Sequence, residues 1–372
     1  MLLALLICGV AFSADGTFDW HLPKGFRPPP VPAENPMTEA KVELGRRLFY
    51  DRRMSINGKG SCSTCHLQQY GFADQKATAV GVTGEKHPRR AMSLSNVGYF
   101  AVFNWANPTV KNLEQQARTP LFGEHPIELG LTEGGGEFLK VMATDLTYKR
   151  LFPEAFPGDP GPYTFDHVTR AIACFERTLI SGRSPYDRYH YQDDASAISA
   201  SAKRGEDMFF HQPLTCFRCH GGFTFGGSTV FQTQPAAKPE FFNTGLYNLA
   251  GRFSFPPDNL GLFEFTHDPE DVGKFNAPSL RNVALRAPYM HDGSIATLDG
   301  VIDHYAAGGR TISSGPLAGD GSKNPNKAER VGGFSLTPEQ RNDLLAFLES
   351  LTDEEFTHDP RFTDPWPAEL KK

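Results

Sequence analysis

Two copies of the pattern Cys-x-x-Cys-His are the residues of this sequence whose types and spacing most clearly indicate chemistry. The first copy begins at residue 62 and the second at residue 216. In such a motif the two thiols bond to the vinyl groups of a haem, and the adjoining imidazole lies beneath the iron. The sequence therefore predicts two covalently bound haem c groups, one held by Cys62 and Cys65 with His66 as iron ligand, the other by Cys216 and Cys219 with His220 as iron ligand.

Two other interpretations of these cysteines are open at this point. A single zinc site with four cysteine ligands would require the two pairs to lie close together in space. A redox-active Cys-x-x-Cys pair does not need a histidine directly after its second cysteine. The spacing of the motifs fits haem attachment better than either of these interpretations.

Length and charge limit the kind of protein further. The 372 residues suggest two domains of ordinary size, each large enough to enclose a haem in its core. The net charge is -6, with acidic and basic residues mixed along the chain, which indicates neither nucleic acid nor an anionic membrane as a partner.

The first residues resemble an export signal, because residues 1–14 are apolar and end in small residues. Ala11 and Ser13 are placed for cleavage before Ala14, although no lysine or arginine precedes the apolar run. No other apolar run approaches the ~18 residues that span a bilayer, so no membrane span is predicted.

The elements that position the motifs are predicted to be mainly helical. Gly45 and Phe49 precede the first motif, and Gly205 and Phe209 precede the second, in both cases one helical turn apart. Each glycine would allow another helix or a haem edge to approach closely, and each phenylalanine would cover the porphyrin. This weak duplication predicts a mainly α fold of two cytochrome-c-like haem domains with long loops.

Changes in composition suggest where these domains begin and end. The divisions are the export signal 1–14, a proline-rich lead 15–35, an N-terminal haem domain 36–191, a linker 192–202, a C-terminal haem domain 203–356 and a tail 357–372. Thr337 and Gln340 form a capping box with Pro338 between them, which predicts a helix that begins there. Cys174 lies beside an apolar helical face and is expected to be a packing residue.

Beyond the two motifs, the chain resembles the bacterial dihaem cytochrome c peroxidases, and within them the MauG-like branch. The most specific match is Lys274 to Leu285, followed by Tyr289 to Gly293; further matches run from 42 through the first motif, then 103–128, 175–189 and 205 to the second motif. The resemblance implies a periplasmic haem enzyme that acts with hydrogen peroxide in the N-terminal domain.

The resemblance also concerns the ligand opposite His220 on the second iron. Where ordinary cytochrome c peroxidases carry a methionine, this chain has Tyr305, which resembles the axial tyrosine of MauG. An anionic oxygen ligand favours higher oxidation states of iron than a thioether does. The second haem would then hold an oxidising equivalent.

The residues around Tyr305 support this assignment without deciding it. Tyr305 shares one face of a predicted helix with three apolar residues, whereas His304 points away from that face; the three are Leu298, Val301 and Ile302. An ordinary core tyrosine, or ligation by His304 or Met290, remains an alternative.

Three further residues receive roles from the resemblance. Glu128 and Gln116 match the distal carboxyl and amide groups of the peroxide-binding haem, and Trp105 matches a tryptophan between the haems. A carboxyl group there can take a proton from peroxide and return it to the leaving oxygen. The plain alternatives are a surface glutamate, a surface glutamine and a core tryptophan.

The chain departs from the family pattern at several places. Gln116 and Glu128 are further apart than usual, and no histidine matches the loop ligand of the first haem, because His87 is displaced. We therefore expect a high-spin first haem. Arg90 and Arg286 stand where relatives bind calcium through Asn and Thr, which makes calcium doubtful here; the guanidinium groups could serve the haem propionates instead.

The leading hypothesis is an oxidase that uses hydrogen peroxide and a high-valent state shared by two haems. Its expected target is a tryptophan on a small exported partner protein, in the setting of methanobactin and periplasmic copper handling. The alternative is a dihaem peroxidase that removes peroxide with electrons from a small cytochrome or copper protein. A dihaem electron carrier is the non-enzymatic possibility.

Overall fold

The computed structural model describes residues 18–134, 136–227, 229–230, 239–251 and 253–367. The predicted export signal lies outside the described residues, as do residues 15–17 of the proline-rich lead, residues 231–238 of the predicted C-terminal haem domain and residues 368–372 of the tail. Among the helices that are described, none combines the length and the apolar composition needed to cross a bilayer.

Helices make up most of the regular structure. In chain order they are α1 (Glu39–Tyr50), α2 (Leu113–Phe122), α3 (Gly136–Thr144), α4 (Leu146–Ala155), α5 (Phe165–Arg177), α6 (Pro185–Tyr191), α7 (Ala200–Phe210), α8 (Phe263–Thr266), α9 (Leu298–Ala306), α10 (Pro338–Ser350) and α11 (Glu354–His358). Two short antiparallel pairs join β1 (Phe241–Phe242) to β2 (Phe275–Asn276) and β3 (Thr311–Ile312) to β4 (Gly319–Asp320). The prediction of a mainly α fold is confirmed.

The same helix crossing occurs once in each half of the chain. A Cβ atom on Gly45 of α1 would lie 1.9 Å from the carbonyl oxygen of Ala171 in α5. A Cβ atom on Gly205 of α7 would lie 1.9 Å from the carbonyl oxygen of Asp343 in α10. Both glycines are therefore required for close approach, and the neighbour that approaches is a helix.

Aromatic side chains close both crossings in the same way. Phe49 packs edge-on against Phe175, with ring centroids 5.2 Å apart, and Phe209 packs against Phe347 at 5.0 Å. All four rings are buried. Cys174, beside Phe175, is also fully buried, which confirms that it is a packing residue.

The start of α10 has the predicted cap. The Thr337 hydroxyl accepts a hydrogen bond from the Gln340 backbone N–H, and the Gln340 side chain accepts one from the Thr337 N–H. Pro338 occupies the first helical position. The cap therefore fixes where α10, the helix that crosses Gly205, begins.

A buried polar network joins the two halves. The Asn282 side-chain amide donates to the hydroxyls of Ser95 and Ser181, at 3.1 and 3.0 Å. The Asp353 carboxylate accepts from Ser181 and from the backbone of residue 182. Beyond this network, Trp366 near the C-terminus packs into the N-terminal core. Polar contacts at the boundary and the packing of the C-terminal segment into the N-terminal core thus hold the two halves in one arrangement.

Candidate dihaem active site

Both Cys-x-x-Cys-His motifs have the same backbone geometry. Each begins with a single 3₁₀ turn, Cys62–Thr64 in the first and Cys216–Arg218 in the second. The backbone N–H of His66 then donates to the Cys62 carbonyl at 3.0 Å, and that of His220 donates to the Cys216 carbonyl at 2.9 Å. The spacing of the motif therefore forms one compact turn that carries both thiols and the imidazole.

The imidazole of each motif is oriented by a backbone carbonyl. His66 Nδ1 lies 3.0 Å from the Phe72 oxygen, and His220 Nδ1 lies 3.3 Å from the Phe225 oxygen and 3.1 Å from that of Pro278. Since a carbonyl only accepts, Nδ1 carries the proton and Nε2 keeps its lone pair for a metal. Burial lowers the pKa of both histidines, which favours the neutral, ligating form.

The thiols are unlike those of a zinc site or a redox pair. Burial raises the pKa of Cys65 to about 11 and also raises that of Cys62, Cys216 and Cys219, whereas a redox-active cysteine needs a lowered thiol pKa. Within the described part of the chain, no three His, Cys, Asp or Glu side chains converge as a metal site would require. Both alternatives to haem attachment are therefore disfavoured.

A partly open cavity lies beside the first motif. Its walls contain His66 together with Gln116 and Glu128, the two residues predicted to act on peroxide. His87 and Glu176 line it as well. The structure thus brings the predicted residues of the first site together around one space.

Helix α2 forms the wall of this cavity that contains Gln116. Gln116 and Pro120 are one helical turn apart and both line the space, whereas Gln115 is exposed. The Leu129 N–H donates to the Pro120 carbonyl at 2.9 Å and so ties the segment after Glu128 to the helix. Gln116 is therefore the glutamine of this pair that faces the cavity.

Burial raises the pKa of Glu128 to about 7, so the carboxyl group can both accept and donate a proton near neutral pH. His87 Nε2 lies 3.9 Å from Glu128 Oε1. The Arg89 backbone N–H donates to His87 Nδ1 at 3.1 Å, which leaves the proton of the neutral ring on Nε2. Burial, followed by the charge of Arg89, lowers the pKa of His87 to about 4, so the ring is neutral.

At the second motif, α9 brings Tyr305 close to the cysteines. Burial, and then the proximity of Cys219 and Cys216, raises the pKa of Tyr305 well above its ordinary value. His304 is buried on another side of α9, where Arg310 is among the groups that influence its pKa. Tyr305 rather than His304 is therefore the α9 side chain beside the second motif.

Trp105 lies where the two halves meet. Its indole N–H donates to the Arg90 carbonyl at 2.9 Å, and its own carbonyl accepts from the Asn276 N–H at 2.8 Å. The ring is half-buried and packs edge-on against His291 with centroids 6.4 Å apart. Trp105 thus contacts segments from both halves.

The family model for di-haem cytochrome c peroxidases matches residues 39–196. The chain is 34% identical to the methylamine utilization protein MauG of Methylorubrum extorquens, over 94% of each chain. It is 33% identical to the cytochrome-c peroxidase IdrP1 of Denitromonas iodatirespirans, over 95% of this chain and 92% of that one. This chain belongs to the di-haem cytochrome c peroxidase family.

Solved structures agree with this assignment. A MauG-like protein associated with microbial copper homeostasis superposes with a TM-score of 0.91 and 45% identity, over 94% of this chain and all of the other. The diheme peroxidase BthA of Burkholderia thailandensis, at 20% identity and a TM-score of 0.65, shares the fold over 91% of this chain and 90% of its own. The predicted pair of cytochrome-c-like domains is confirmed as the fold class.

As a member of the di-haem cytochrome c peroxidase family, the protein is a haem oxidoreductase that acts with peroxide, and the family implies two haem groups. The residues at both motifs fit this cofactor. Each motif offers an imidazole oriented by a carbonyl, and the first has a cavity beside it. The buried Nε atoms of Arg90 and Arg286 also lack a hydrogen-bond partner among the described residues.

Glu176 also belongs to the first site, although it was not predicted from the sequence. It is buried in α5, its Oε2 atom has no hydrogen-bond partner within the described residues, and burial raises its pKa to about 8. The sequence offered one signal for this residue: Glu176 is a charged residue on an otherwise apolar face of α5. The cavity beside the first motif therefore contains two carboxyl groups, those of Glu128 and Glu176, with raised pKa values.

Proposed function

We propose that this family member uses hydrogen peroxide to oxidise a tryptophan on a small partner protein that is exported, as this protein is, to the periplasm. The observation that carries the proposal is Tyr305 beside the second motif, where an oxygen ligand would replace a thioether. Such a ligand suits a haem that stores oxidising equivalents better than one that receives electrons. The strong likeness to a MauG-like protein associated with copper homeostasis supports a copper-related partner.

The first haem is the proposed peroxide site. It would be bound through Cys62 and Cys65, with His66 as its ligand. When bound, haem iron supplies the cleavage of the O–O bond and the storage of the two oxidising equivalents. Glu128 accepts a proton from peroxide and returns it to the leaving oxygen, for which a pKa of about 7 is suitable. Gln116 orients peroxide or water within the cavity.

The second haem is the proposed store of oxidising power. It would be bound through Cys216 and Cys219, with His220 and Tyr305 as ligands. Trp105 provides the electronic contact between the two sites, and its hydrogen bond to the Arg90 carbonyl fixes the indole in place.

Peroxide removal with electrons from a small cytochrome or copper protein is the second candidate function. Relatives named cytochrome-c peroxidase favour it, among them IdrP1 and the cytochrome c551 peroxidase of Pseudomonas aeruginosa, which is 30% identical over 85% of this chain and 80% of that one. Tyr305 argues against it, because a tyrosinate ligand lowers the reduction potential at which the second haem would accept electrons.

The test uses the holo-protein, hydrogen peroxide and candidate partners chosen from any small exported proteins that neighbouring genes encode. We expect mass spectrometry to find oxygen added to a tryptophan of the partner without any added reductant. A Tyr305→Phe variant with both haems should lose this activity. Rapid oxidation of a reduced cytochrome by peroxide, with an unmodified partner, would establish the second function instead.

A further inference from the structure

Five arginines are buried in the described part of the chain, and their partners divide them into two classes. They are Arg89, Arg90, Arg177, Arg281 and Arg286. Three have carboxylates: Arg281 forms two hydrogen bonds to Asp187, Arg177 forms two to Glu114, and Arg89 contacts Glu264. Arg90 and Arg286 have no carboxylate oxygen within ion-pair distance among the described residues.

The two exceptions are also poor in hydrogen bonds. Arg90 donates one side-chain bond, to the Asp74 carbonyl at 2.8 Å, and Arg286 donates one, to the Ser279 carbonyl at 2.6 Å. Their buried Nε atoms have no partner within the described ranges. Asp74 is an acidic neighbour of Arg90, but it forms no ion pair with it, and one of its own carboxylate oxygens is buried without a partner in the described part of the chain. Two buried guanidinium charges therefore exceed the negative charge that the described residues place beside them, which is costly unless a further anion binds.

The two guanidinium groups are close to each other. Burial and then the charge of Arg90 lower the pKa of Arg286 to about 10, and Tyr289 is a common neighbour of both. Two like charges in one buried region repel each other unless an anion lies between them. Arg90 and Arg286 therefore both require an anion in the same buried region.

Each arginine is anchored to the segment that orients one haem histidine. Arg90 bonds to Asp74, two residues beyond the Phe72 carbonyl that holds His66. Arg286 bonds to Ser279, the residue after the Pro278 carbonyl that holds His220. The pair thus extends from one haem site towards the other.

We propose that Arg90 and Arg286 form a single anion site between the haems that binds carboxylates of the haem propionates, Arg90 from the first haem and Arg286 from the second. Each haem carries two carboxylates, and guanidinium groups bind carboxylates through two parallel hydrogen bonds. The site requires both haems but does not depend on which substrate the enzyme oxidises. The two arginines neutralise the propionates and couple the haems electrostatically beside Trp105.

The test is a redox titration of each haem in the holo-protein, followed by spectroscopy that separates the two haems. Arg90→Gln should lower the reduction potential of the first haem, and Arg286→Gln that of the second, because an unneutralised carboxylate stabilises ferric iron. At a fixed potential the ferric-to-ferrous ratio should rise roughly tenfold, as expected for one charge removed at haem-edge distance. Arg90→Lys and Arg286→Lys should largely restore each potential.

Arg89→Gln is the matched control, because Arg89 is buried next to Arg90 but has its own carboxylate. It should shift each potential much less than Arg90→Gln or Arg286→Gln does. Covalent attachment should keep both haems in every variant, which the denatured mass verifies. The proposal would be overturned if a variant shifted both haem potentials equally or shifted neither. It would also be overturned if titration with sulfate changed the wild-type potentials, because that would indicate a site for free anions.

Discussion

The two halves of the molecule carry the same haem anchor and differ in what lies near it. In both, a 3₁₀ turn presents the motif, a glycine allows two helices to cross, and a phenylalanine carbonyl holds the histidine. Phe72 and Phe225 both have a positive φ, of 56° and 52°. Near the first anchor a cavity contains Glu128 and Gln116, whereas near the second α9 supplies Tyr305.

This difference suggests a division of labour on a duplicated frame. In the proposed function, the space and the titratable groups beside the first anchor let peroxide enter and exchange protons. The oxygen atom of Tyr305 would occupy the equivalent region at the second anchor and exclude small molecules. The common anchors would then fix the haems, and their different surroundings would determine the chemistry.

The largest expected effect is the loss of one haem, and it tests the haem anchor that the two halves have in common. Replacing Cys62 and Cys65 by alanine, or Cys216 and Cys219 by alanine, should remove one covalent haem in either case, because each pair holds its own haem. The denatured mass should fall from two haems above the polypeptide to one. A wild-type mass with a single haem would contradict the equivalence of the two anchors.

The next effect concerns the contact between the halves. Trp105→Phe should still consume peroxide at the first haem but fail to oxidise the partner protein, because the indole links the two sites. The control is Trp366→Phe, which changes a buried tryptophan of the N-terminal core. Loss of partner oxidation in both variants would indicate general damage to packing.

Glu128→Gln should slow the reaction with peroxide by about 10²–10⁴-fold, the usual value of a positioned proton-transfer group, while both haems remain bound. Glu176→Gln removes a second carboxyl group from the same cavity and should have a much smaller effect. Stopped-flow spectra measure both rates. Equal slowing in the two variants would show that the position of Glu128 is not what matters.

The rate of the reaction with peroxide should depend on pH through the protonation of Glu128. Burial raises the pKa of Glu128 from 4.5 to about 7, and the carboxylate form is the one that accepts a proton from peroxide. The rate should therefore fall as the pH decreases below about 7, and Glu128→Gln should lose this dependence. The proton bound by the folded state also means that the contribution of Glu128 to stability is present below its unfolded pKa and lost as the pH rises through about 7.

The smallest expected effect is that of calcium removal. Arg90 and Arg286 are poor calcium ligands, so dialysis against a chelator should leave the haem spectra and the peroxide rate unchanged. Recovery of a lost activity on adding calcium back would contradict this expectation and would place a cation site elsewhere between the halves.

Local spacing in the sequence predicted much of this. The haem motifs, the Gly45 and Gly205 crossings and the α10 capping box all depend on residues within a few positions of one another. The positions of Gln116 and Glu128 came from family resemblance, and the structure brings both to the same cavity as His66.

Features that depend on distant contacts could not be predicted in the same way. The carbonyls that hold the histidines depend on left-handed phenylalanines, and no sequence rule requires that conformation of phenylalanine. Glu176 was missed because its burial follows from how α5 packs. Pairing of arginines with carboxylates likewise appears only once the chain is folded.

The most direct test of the division of labour is to mix the resting protein with one equivalent of peroxide and to back-titrate the product with a reductant. The wild type should retain two oxidising equivalents, with spectral changes at both haems. Tyr305→Phe should retain both haems but lose the change at the second, whereas Tyr186→Phe, a tyrosine of the same core, should behave as wild type. If Tyr305→Phe also stores two equivalents across both haems, Tyr305 is not the ligand and the account is wrong.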